Sequence, residues 1–519
     1  MKTRITGQLA AVAILAAVLL LLSKTWALPS SAFDQLDLLV DIRGELVRNY
    51  VEDPDQQKLI EAAIRGMIDA LNDPHTAYLT REDLENFDRQ VTGTFSGIGA
   101  EVDLHEDRLR IVTPLEGSPA WEAGIMAGDI VLQIGDESTL GMTLTEAVGK
   151  LTGEAGTAVT LRVRHESGEE QDITITRAVI NIQTVRGFRR DAEQHYELLI
   201  DPDHRIGYLR LTQFNERTAN ELKAALDQLN EQDMRGLILD MRFNPGGLLP
   251  SAIQVSDMFL EAGQTIASVE GRTVSREVFR STDETRVAAD VPIVVLANDR
   301  SASAAEIVTG ALKDNERALF VGSRTFGKGS VQQIRMLEGG RGALKMTNAY
   351  YYIPSGRVIH RREDSQTWGV DPSEGSYVAM TGEAEREMIR IRRESDRIVP
   401  ENGENHREPV TPAFIEDDLK DPQLAASLRA VLGKLETGEW PQVGEADVER
   451  QVAATHRQNL EQRRQMLLDQ VSELESELEQ IEAGESEPGE DAGAEADERV
   501  DEQADAEREP AEALEPVTP

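Results

Sequence analysis

The chain has 519 residues, no cysteine, 4% aromatic residues and a formal net charge of −40. The length suits about two to four domains. The missing cysteine excludes disulfide scaffolds, Cys-ligated metal sites and thiol catalysis, and the acidic balance argues against nucleic acid as a partner.

Lys2 and Arg4 precede an uncharged run from Ile5 to Leu22. A basic start followed by an apolar stretch is the layout of an export signal. The run also meets the lower length limit for crossing a bilayer core of ~30 Å. Residues 1–32 therefore read either as a cleaved signal, with small residues at Thr25-Trp26-Ala27 and Ser30-Ser31-Ala32, or as a retained inner-membrane anchor. Both readings place the body outside the cytoplasm, in the periplasm or cell envelope. A buried core helix is the weaker alternative, because no polar face interrupts the run.

Residues 33–91 read as helices. Leu36, Leu39, Val40, Leu46 and Val47 fall on one side at helical spacing, and Asn72-Asp73-Pro74 stops a second helix that begins near Lys58. Residues 92–180 form a strand-rich module, with short strands at 98–104, 109–112, 130–134, 159–163 and 173–176 and one helix at 144–151. From 181 to 378 strands and helices alternate: strands at 206–211, 236–242 and 291–297, helices at 219–229, 250–260 and 304–313. Such a succession builds a parallel or mixed sheet covered by helices, with sites at the strand ends. Residues 379–445 are a charged, Pro-containing extension. Within 446–483, Leu460, Leu467, Val471, Leu474, Leu478 and Ile481 recur at seven, four and three, the pattern of a short coiled coil and hence of self-association, with Arg464 breaking the seam. A lone solvated helix is the alternative. Residues 473–519 hold 19 acidic and 2 basic residues, and from 484 onward the composition is that of a disordered acidic tail.

Three segments of the α/β region bear on chemistry. Asp240-Met241-Arg242-Phe243-Asn244-Pro245-Gly246-Gly247 follows an apolar strand, and paired glycines there let backbone N–H groups approach an oxyanion; an ordinary turn has the same look. Asn298-Asp299-Arg300-Ser301-Ala302-Ser303-Ala304-Ala305-Glu306 lies between a strand and a helix. A serine at a helix N-terminus faces a potential that favours a developing anion, although helix capping is a common task for such a serine. Thr325-Phe326-Gly327-Lys328-Gly329-Ser330-Val331-Gln332 carries one of only 10 lysines. A lysine buried there loses hydration, its pKa falls, and it can serve as the base a serine nucleophile needs. A surface lysine in a Gly turn is the bland reading, and the spacing of a phosphate loop is incomplete. None of the eight histidines lies between 205 and 359, and no Gly-x-Ser-x-Gly elbow or His-Glu-x-x-His pair occurs, which disfavours Ser–His–Asp and zinc hydrolases.

Together these segments resemble the C-terminal processing (tail-specific) serine peptidases over roughly residues 34–375. The shared stretches are Ser-Ala-Ser-Ala-Ala-Glu at 301–306, Thr-Phe-Gly-Lys-Gly-Ser-Val-Gln at 325–332 and Asn-Asp-Pro-His-Thr-Ala-Tyr at 72–78. Gly97-Ile98-Gly99-Ala100, Gly117-Ser118-Pro119-Ala120 and Ala127-Gly128-Asp129 make the module at 92–180 similar to a PDZ domain. The resemblance implies a crotonase-like α/β peptidase core with an inserted PDZ domain. It implies Ser303 as nucleophile, Lys328 as general base and Gln332 as the residue orienting the lysine. Backbone N–H groups of Gly246 and Ala304 match the oxyanion hole, with Gly247 a near substitute, and Asp314 matches a supporting acidic residue of some members. No metal or organic cofactor is implied. Gln332 fits either a helical turn or a strand. Gly97, Ile98, Gly99 and Ala100 can form a nest for the terminal carboxylate of an extended peptide added to the sheet edge. Leu151-Thr152-Gly153 departs from the pattern: Thr stands where many members carry an Arg that couples the PDZ ligand to the active site.

The expectation is an exported Ser–Lys endopeptidase that processes or degrades proteins from unstructured C-termini. Self-association, an adaptor protein and membrane association through the N-terminal segment are the further partner expectations. A non-catalytic PDZ scaffold or adaptor is the first rival, weakened by the joint presence of Ser303, Lys328 and Gln332. An acyl-thioester enzyme of the related crotonase fold is the second, and it would require an adenine-nucleotide pocket that the sequence does not offer.

Overall fold

A computed structural model of the chain describes residues 30–485, apart from 106, 166, 192–193, 363–364, 366 and 397–409. The apolar run at 5–22 and most of the acidic tail lie outside the described residues. Among the described residues no helix is long and apolar enough to cross a membrane.

Two helices open the described chain, Ser30–Asn49 and Gln56–Asp69. Asp55 caps the second by accepting from the N–H groups of Gln57 and Lys58. It ends before Asn72, whose φ of 50° suits a short polar side chain. The strand Ala77–Leu79 then pairs antiparallel with residues 343–345, which ties the Asn72–Tyr78 turn to the α/β region.

The strand-rich module has its own core. Its main sheet runs, in spatial order, through Ala100–His105, Arg108–Pro114, Ile130–Ile134, Ala158–Arg164 and Glu170–Thr176. Alternation sets its inner face: Val159, Leu161 and Val163 are buried while their neighbours are exposed. Thr94–Gly97 pairs antiparallel with Ala178–Asn181, so the chain enters and leaves the module side by side, as an insertion requires.

The α/β core is built on four parallel strands in the order Ile206–Leu211, Gly236–Asp240, Ile293–Ala297 and Leu319–Gly322. These strands are buried along their whole length, which is why they read as continuous apolar runs rather than as alternating ones. Helices Thr218–Glu231, Leu249–Asp257 and Ala304–Asp314 pack on one face. The other face is covered from the extension, by helix Pro422–Thr437 with Leu424, Leu428 and Val431, and by Ile415 of helix Pro412–Asp417. Residues 412–437 thus complete the core, although the sequence reads as if the core ended near 378. A second sheet joins Ala77–Leu79, Ala343–Tyr352, Thr265–Glu270 and Glu277–Arg280, with Ser330–Met336 also paired to Ala343–Tyr352.

Helix Val448–Glu485 runs for 38 residues. Leu460, Leu467, Val471, Leu474 and Leu478 are all exposed on it; the side chain of Ile481 lies outside the described residues.

Candidate active site

The three chemistry-bearing segments follow the C-terminal ends of three adjacent parallel strands, 236–240, 293–297 and 319–322. That is where an open α/β sheet leaves its ligand crevice. Strand adjacency alone therefore brings residues 243–247, 298–303 and 323–329 together.

Hydrogen bonds fix the first two loops to each other. Asn298 Oδ1 accepts from the N–H groups of Phe243 (3.1 Å) and Arg300 (3.2 Å), Ser301 Oγ donates to the Met241 carbonyl (2.8 Å), and Ala302 N–H donates to the Asn244 carbonyl (2.9 Å). Ser301 is thereby fully buried in a structural role. Ser303 differs. It precedes helix Ala304–Asp314 with φ 56° and ψ −115°, a conformation that an L-residue rarely adopts and that commonly marks a functional constraint. It is 7% exposed at the positive end of that helix dipole.

Gly246 is required by closeness: a Cβ there would lie 2.7 Å from Ser303 Cβ and 2.9 Å from the Ala304 nitrogen. At Gly247 it would lie 1.9 Å from the Phe214 carbonyl oxygen, against which the loop is bridged. Gly246 and Ala304 both lie against Ser303, but their N–H groups are not equally available. Gly246 N–H donates to Asn244 Oδ1 at 2.8 Å. Among the described residues, Ala304 N–H and Gly247 N–H have no hydrogen-bond partner, so Ala304 and Gly247 are the donors left free for an oxyanion.

The third loop is joined to the second by one side chain that the sequence reading gave no role. Glu306 is fully buried and accepts four hydrogen bonds. Its Oε2 takes the N–H groups of Ser303 (2.9 Å) and Lys328 (2.8 Å); its Oε1 takes the Thr325 hydroxyl (2.6 Å) and the Gly327 N–H (2.7 Å). The candidate nucleophile and candidate base thus hang from the same carboxylate oxygen by their own main chains. Burial pushes the Glu306 carboxyl up to about 7, against the four donors that pull it down. Its position three residues after Ser303 is that of a capping-box acid, the signal by which sequence reading finds it.

Lys328 is half-buried. Burial and then the neighbouring Lys345 ammonium lower its pKa, and Glu306 opposes them. Among the described residues no hydrogen bond links Ser303 Oγ to Lys328 Nζ. Gln332 lies in strand Ser330–Met336, not in a helical turn. Its Nε2 donates to Ser330 Oγ (2.9 Å) and Thr347 Oγ1 (3.2 Å), which leaves Oε1 as the free, accepting end of the amide. Thr347 N–H in turn donates to Thr76 Oγ1 at 3.1 Å, and Thr76 Oγ1 donates to Asp73 Oδ2 at 2.5 Å, so the Asn72–Tyr78 turn buttresses the residue that holds Gln332. Two histidines from outside the 205–359 window reach this region. Burial lowers the pKa of both His75 and His360; Lys328 adds to the effect on His75, and His75 to that on His360. Asp314 is not brought to this cluster. It closes helix Ala304–Asp314 about 16 Å along the axis from Ser303, and it accepts from the Ser355 N–H at 3.0 Å.

A buried ion network braces the site from below. Arg242, fully buried, pairs with Asp240 (2.8 Å) and with Asp421 (2.7 Å), the cap of helix Pro422–Thr437. In the strand-rich module, the carbonyls of Ile98 and Gly99 are taken by Ala120 N–H (2.8 Å) and Leu115 N–H (2.9 Å), with Ser118 Oγ also on Gly99 (2.7 Å). The N–H groups of Ile98 and Gly99 carry no partner among the described residues. Beside them, exposed Leu104, Leu144 and Val148 face solvent from strand Ala100–His105 and helix Leu144–Leu151.

Comparison with known proteins follows this division of the chain. Residues 205–374 match the model of peptidase family S41, residues 110–165 that of the PDZ domain, and residues 32–83 that of the activating protease CtpB N-terminal domain. The carboxy-terminal-processing protease of Bartonella bacilliformis is 40% identical over 334 residues, covering 63% of this chain and 73% of that protein. The carboxy-terminal processing protease CtpA of Bacillus subtilis is 36% identical over 332 residues, covering 64% and 67%. A solved photosystem II D1 C-terminal processing protease aligns at 28% identity with a TM-score of 0.38, over 66% of this chain and 92% of that one. With peptidase and PDZ segments both matched, and this identity over 73% of an established relative, the chain belongs to the carboxy-terminal processing serine proteases of peptidase family S41.

Proposed function

We propose that the protein is an exported endopeptidase in which Ser303 attacks the peptide carbonyl and Lys328 is its general base. The observation that carries this reading is the shared Glu306 oxygen, which holds the Ser303 and Lys328 main chains together at 2.9 and 2.8 Å. Lys328, neutral, takes the Ser303 hydroxyl proton as the acyl–oxygen bond forms. The oxyanion is met by the Ala304 N–H, together with Gly247 N–H or with Gly246 N–H released from Asn244. Lys328 then protonates the leaving amine, and water resolves the acyl-enzyme. Gln332 orients Lys328 through its free Oε1. Asp314 supports the site only at a distance, through the turn at Ser355. The parallel sheet with helices on both faces supports a crotonase-like core.

The PDZ domain captures substrate C-termini: the free Ile98 and Gly99 N–H groups, within the Gly97–Ala100 loop, bind the carboxylate, and Leu104, Leu144 and Val148 take the apolar end. The chain acts in the periplasm or cell envelope, with residues 1–32 as signal or anchor. Self-association through the exposed faces of helices Ser30–Asn49 and Val448–Glu485 is part of the same reading; Leu38 and Val40 are 61% and 66% exposed and Leu474 59%. Incubating the purified protein with an unstructured peptide, beside Ser303→Ala and Lys328→Ala, tests the centre. Cleavage that persists in both variants would sink it. Equal binding of the free-acid and amidated forms of that peptide to Ser303→Ala would reject carboxylate capture.

A further inference from the structure

Two adjoining cavities separate the PDZ domain from helix Gly382–Asp396. The larger, about 960 Å³, lies between that helix and strands Ala100–His105 and Arg108–Pro114. The smaller, about 340 Å³, shares Glu101, Val112, Ile389 and Arg393 with it and reaches Phe243, in the loop that carries Gly246. The cleft therefore runs from strand Ala100–His105 of the PDZ domain to the candidate oxyanion loop.

Its charge is opposite to that of the molecule. Each cavity is lined by six arginines and three acidic residues, whereas the chain as a whole has 94 acidic and 54 basic residues. Some of these arginines are committed: Arg110 to Asp103, Arg390 to Glu387 and Arg190 to Glu116. Arg108, Arg386 and Arg393 have neither an ion pair nor a hydrogen bond among the described residues. At the inner end Arg210 is 7% exposed. Its Nη2 donates to Asp396 at 2.6 Å, yet among the described residues its Nε is buried with no acceptor, and Asp396 Oδ1 is buried without a donor. A buried guanidinium N–H without a partner is costly and calls for an explanation. An acceptor supplied by a ligand in this cavity provides one.

We propose that this cleft is a subsite for an acidic segment of the peptide substrate, with Asp and Glu carboxylates pairing with Arg108, Arg386 and Arg393 and the innermost one reaching Arg210. It rests on the protease reading for its role, since the cleft runs from the PDZ domain to Phe243, in the loop that carries Gly246. The direction of the preference is what makes it specific. A molecule of charge −40 repels an acidic peptide at long range, so preference for one has to arise in a local cationic site.

The test uses the full chain carrying Ser303→Ala and two fluorescent peptides identical except for Glu→Gln replacement in the segment upstream of a common C-terminus. Anisotropy at low salt should show the Glu peptide binding about five- to tenfold tighter, the scale of a few partly exposed ion pairs, and salt should erode that advantage. Arg386→Gln with Arg393→Gln should abolish the advantage while leaving affinity for the Gln peptide unchanged. Arg386→Glu with Arg393→Glu should move the preference to a Lys peptide, a reversal that lost folding cannot mimic. Equal affinity for the Glu and Gln peptides, or an advantage that survives the double Gln variant, would overturn the proposal. Because binding is read without Ser303, failure of the Ser–Lys reading leaves this result intact. Conversely, cleavage of both peptides by wild type with one KM would dismiss the subsite and keep the protease.

Discussion

Glu306→Gln is the most informative single change at the candidate centre, because it keeps the shape and alters one acceptor. The carboxylate accepts two bonds on each oxygen. The amide has only one oxygen. With that oxygen toward Ser303 and Lys328, its NH2 group faces Thr325 Oγ1 and the Gly327 N–H. Thr325 Oγ1 already accepts from the Val370 N–H at 2.7 Å and has a second lone pair to offer. The Gly327 N–H has no such option and is left facing a donor. One buried N–H orphaned beside a lost charge-assisted bond costs about 1.5–3 kcal/mol, partly offset because the amide needs no charge desolvation. The chain should therefore remain folded while Gly327, and with it Lys328, shifts. Misplacing a catalytic group by about 1 Å costs up to ~100-fold in rate, so kcat should fall about 10- to 100-fold with KM little changed. Stability adds a signature of the correct sign. A carboxyl whose folded pKa rises from 4.5 to about 7 contributes stability that is fully present below its unfolded pKa and is lost as pH rises through about 7. Relative to Glu306→Gln, wild type should thus gain up to about 3 kcal/mol as pH falls from 7 toward 4.5. Peptide cleavage rates and urea midpoints of both proteins across this range measure the two effects. Wild-type kcat in Glu306→Gln, with parallel stability profiles, would refute the argument that this carboxylate sets the position of Lys328.

Three other outcomes follow from the same contacts. The kcat/KM of wild type should rise with pH through the depressed Lys328 pKa, and Lys345→Gln should move that limb to higher pH by removing a neighbouring cation; superimposable pH–rate profiles would show that Lys345 has no such effect. Asp421→Ala leaves Arg242 with one of its two buried carboxylate partners and uncaps helix Pro422–Thr437, so it should destabilise the core by roughly 3–5 kcal/mol in urea unfolding. In the PDZ domain, burial lowers the pKa of His165, but the hydrogen bond to Asp129 at 2.7 Å and the charge of Asp129, with smaller help from Gln171 and Glu169, together outweigh it and raise the net value. That pair's stabilisation is present below about pH 6.5 and is lost as pH rises through the raised pKa, so His165→Gln should flatten the pH dependence of PDZ unfolding followed by Trp121 fluorescence.

How much of this was legible depended on the range over which each signal acts. The strands at 206–211, 236–240 and 293–297 are buried on both faces, so their composition alone announced them. Leu319–Gly322, only four residues long, carries the same chemistry but too little of it to stand out. Helix Pro422–Thr437 was hidden for another reason: its partners Ile206, Ile238 and Val294 lie more than a hundred residues earlier, and it follows a charged stretch that reads as solvated. The buried pairing of Arg242 was not legible either, because Asp421, which closes it, is distant in sequence.

The site divides along the same line. Residue type pointed to a serine of the 298–306 segment and to Lys328, and the family resemblance implied Ser303. Residue type could not choose between Ser301 and Ser303. The choice rests on conformation: Ser301 Oγ is bound to the Met241 carbonyl inside the loop, while Ser303 sits at φ 56° with its main chain held by Glu306. Nor could it foresee that Asn244 would occupy the Gly246 N–H, because an Asx turn forms only once the loop has folded against Leu211. That contact has a consequence. If Gly246 N–H is to serve an oxyanion, Asn244 Oδ1 must let it go, whereas Gly247 N–H and Ala304 N–H have no partner among the described residues. Asn244→Ala separates the two cases. Were Gly246 the working donor, its release should raise kcat unless the loop collapses, and Asn244 Nδ2 also braces that loop through Leu211 at 2.8 Å. Asn244→Asp keeps the acceptor and removes the brace, so a fall in kcat in both variants would make Asn244 the support of the loop and Gly247 the second donor.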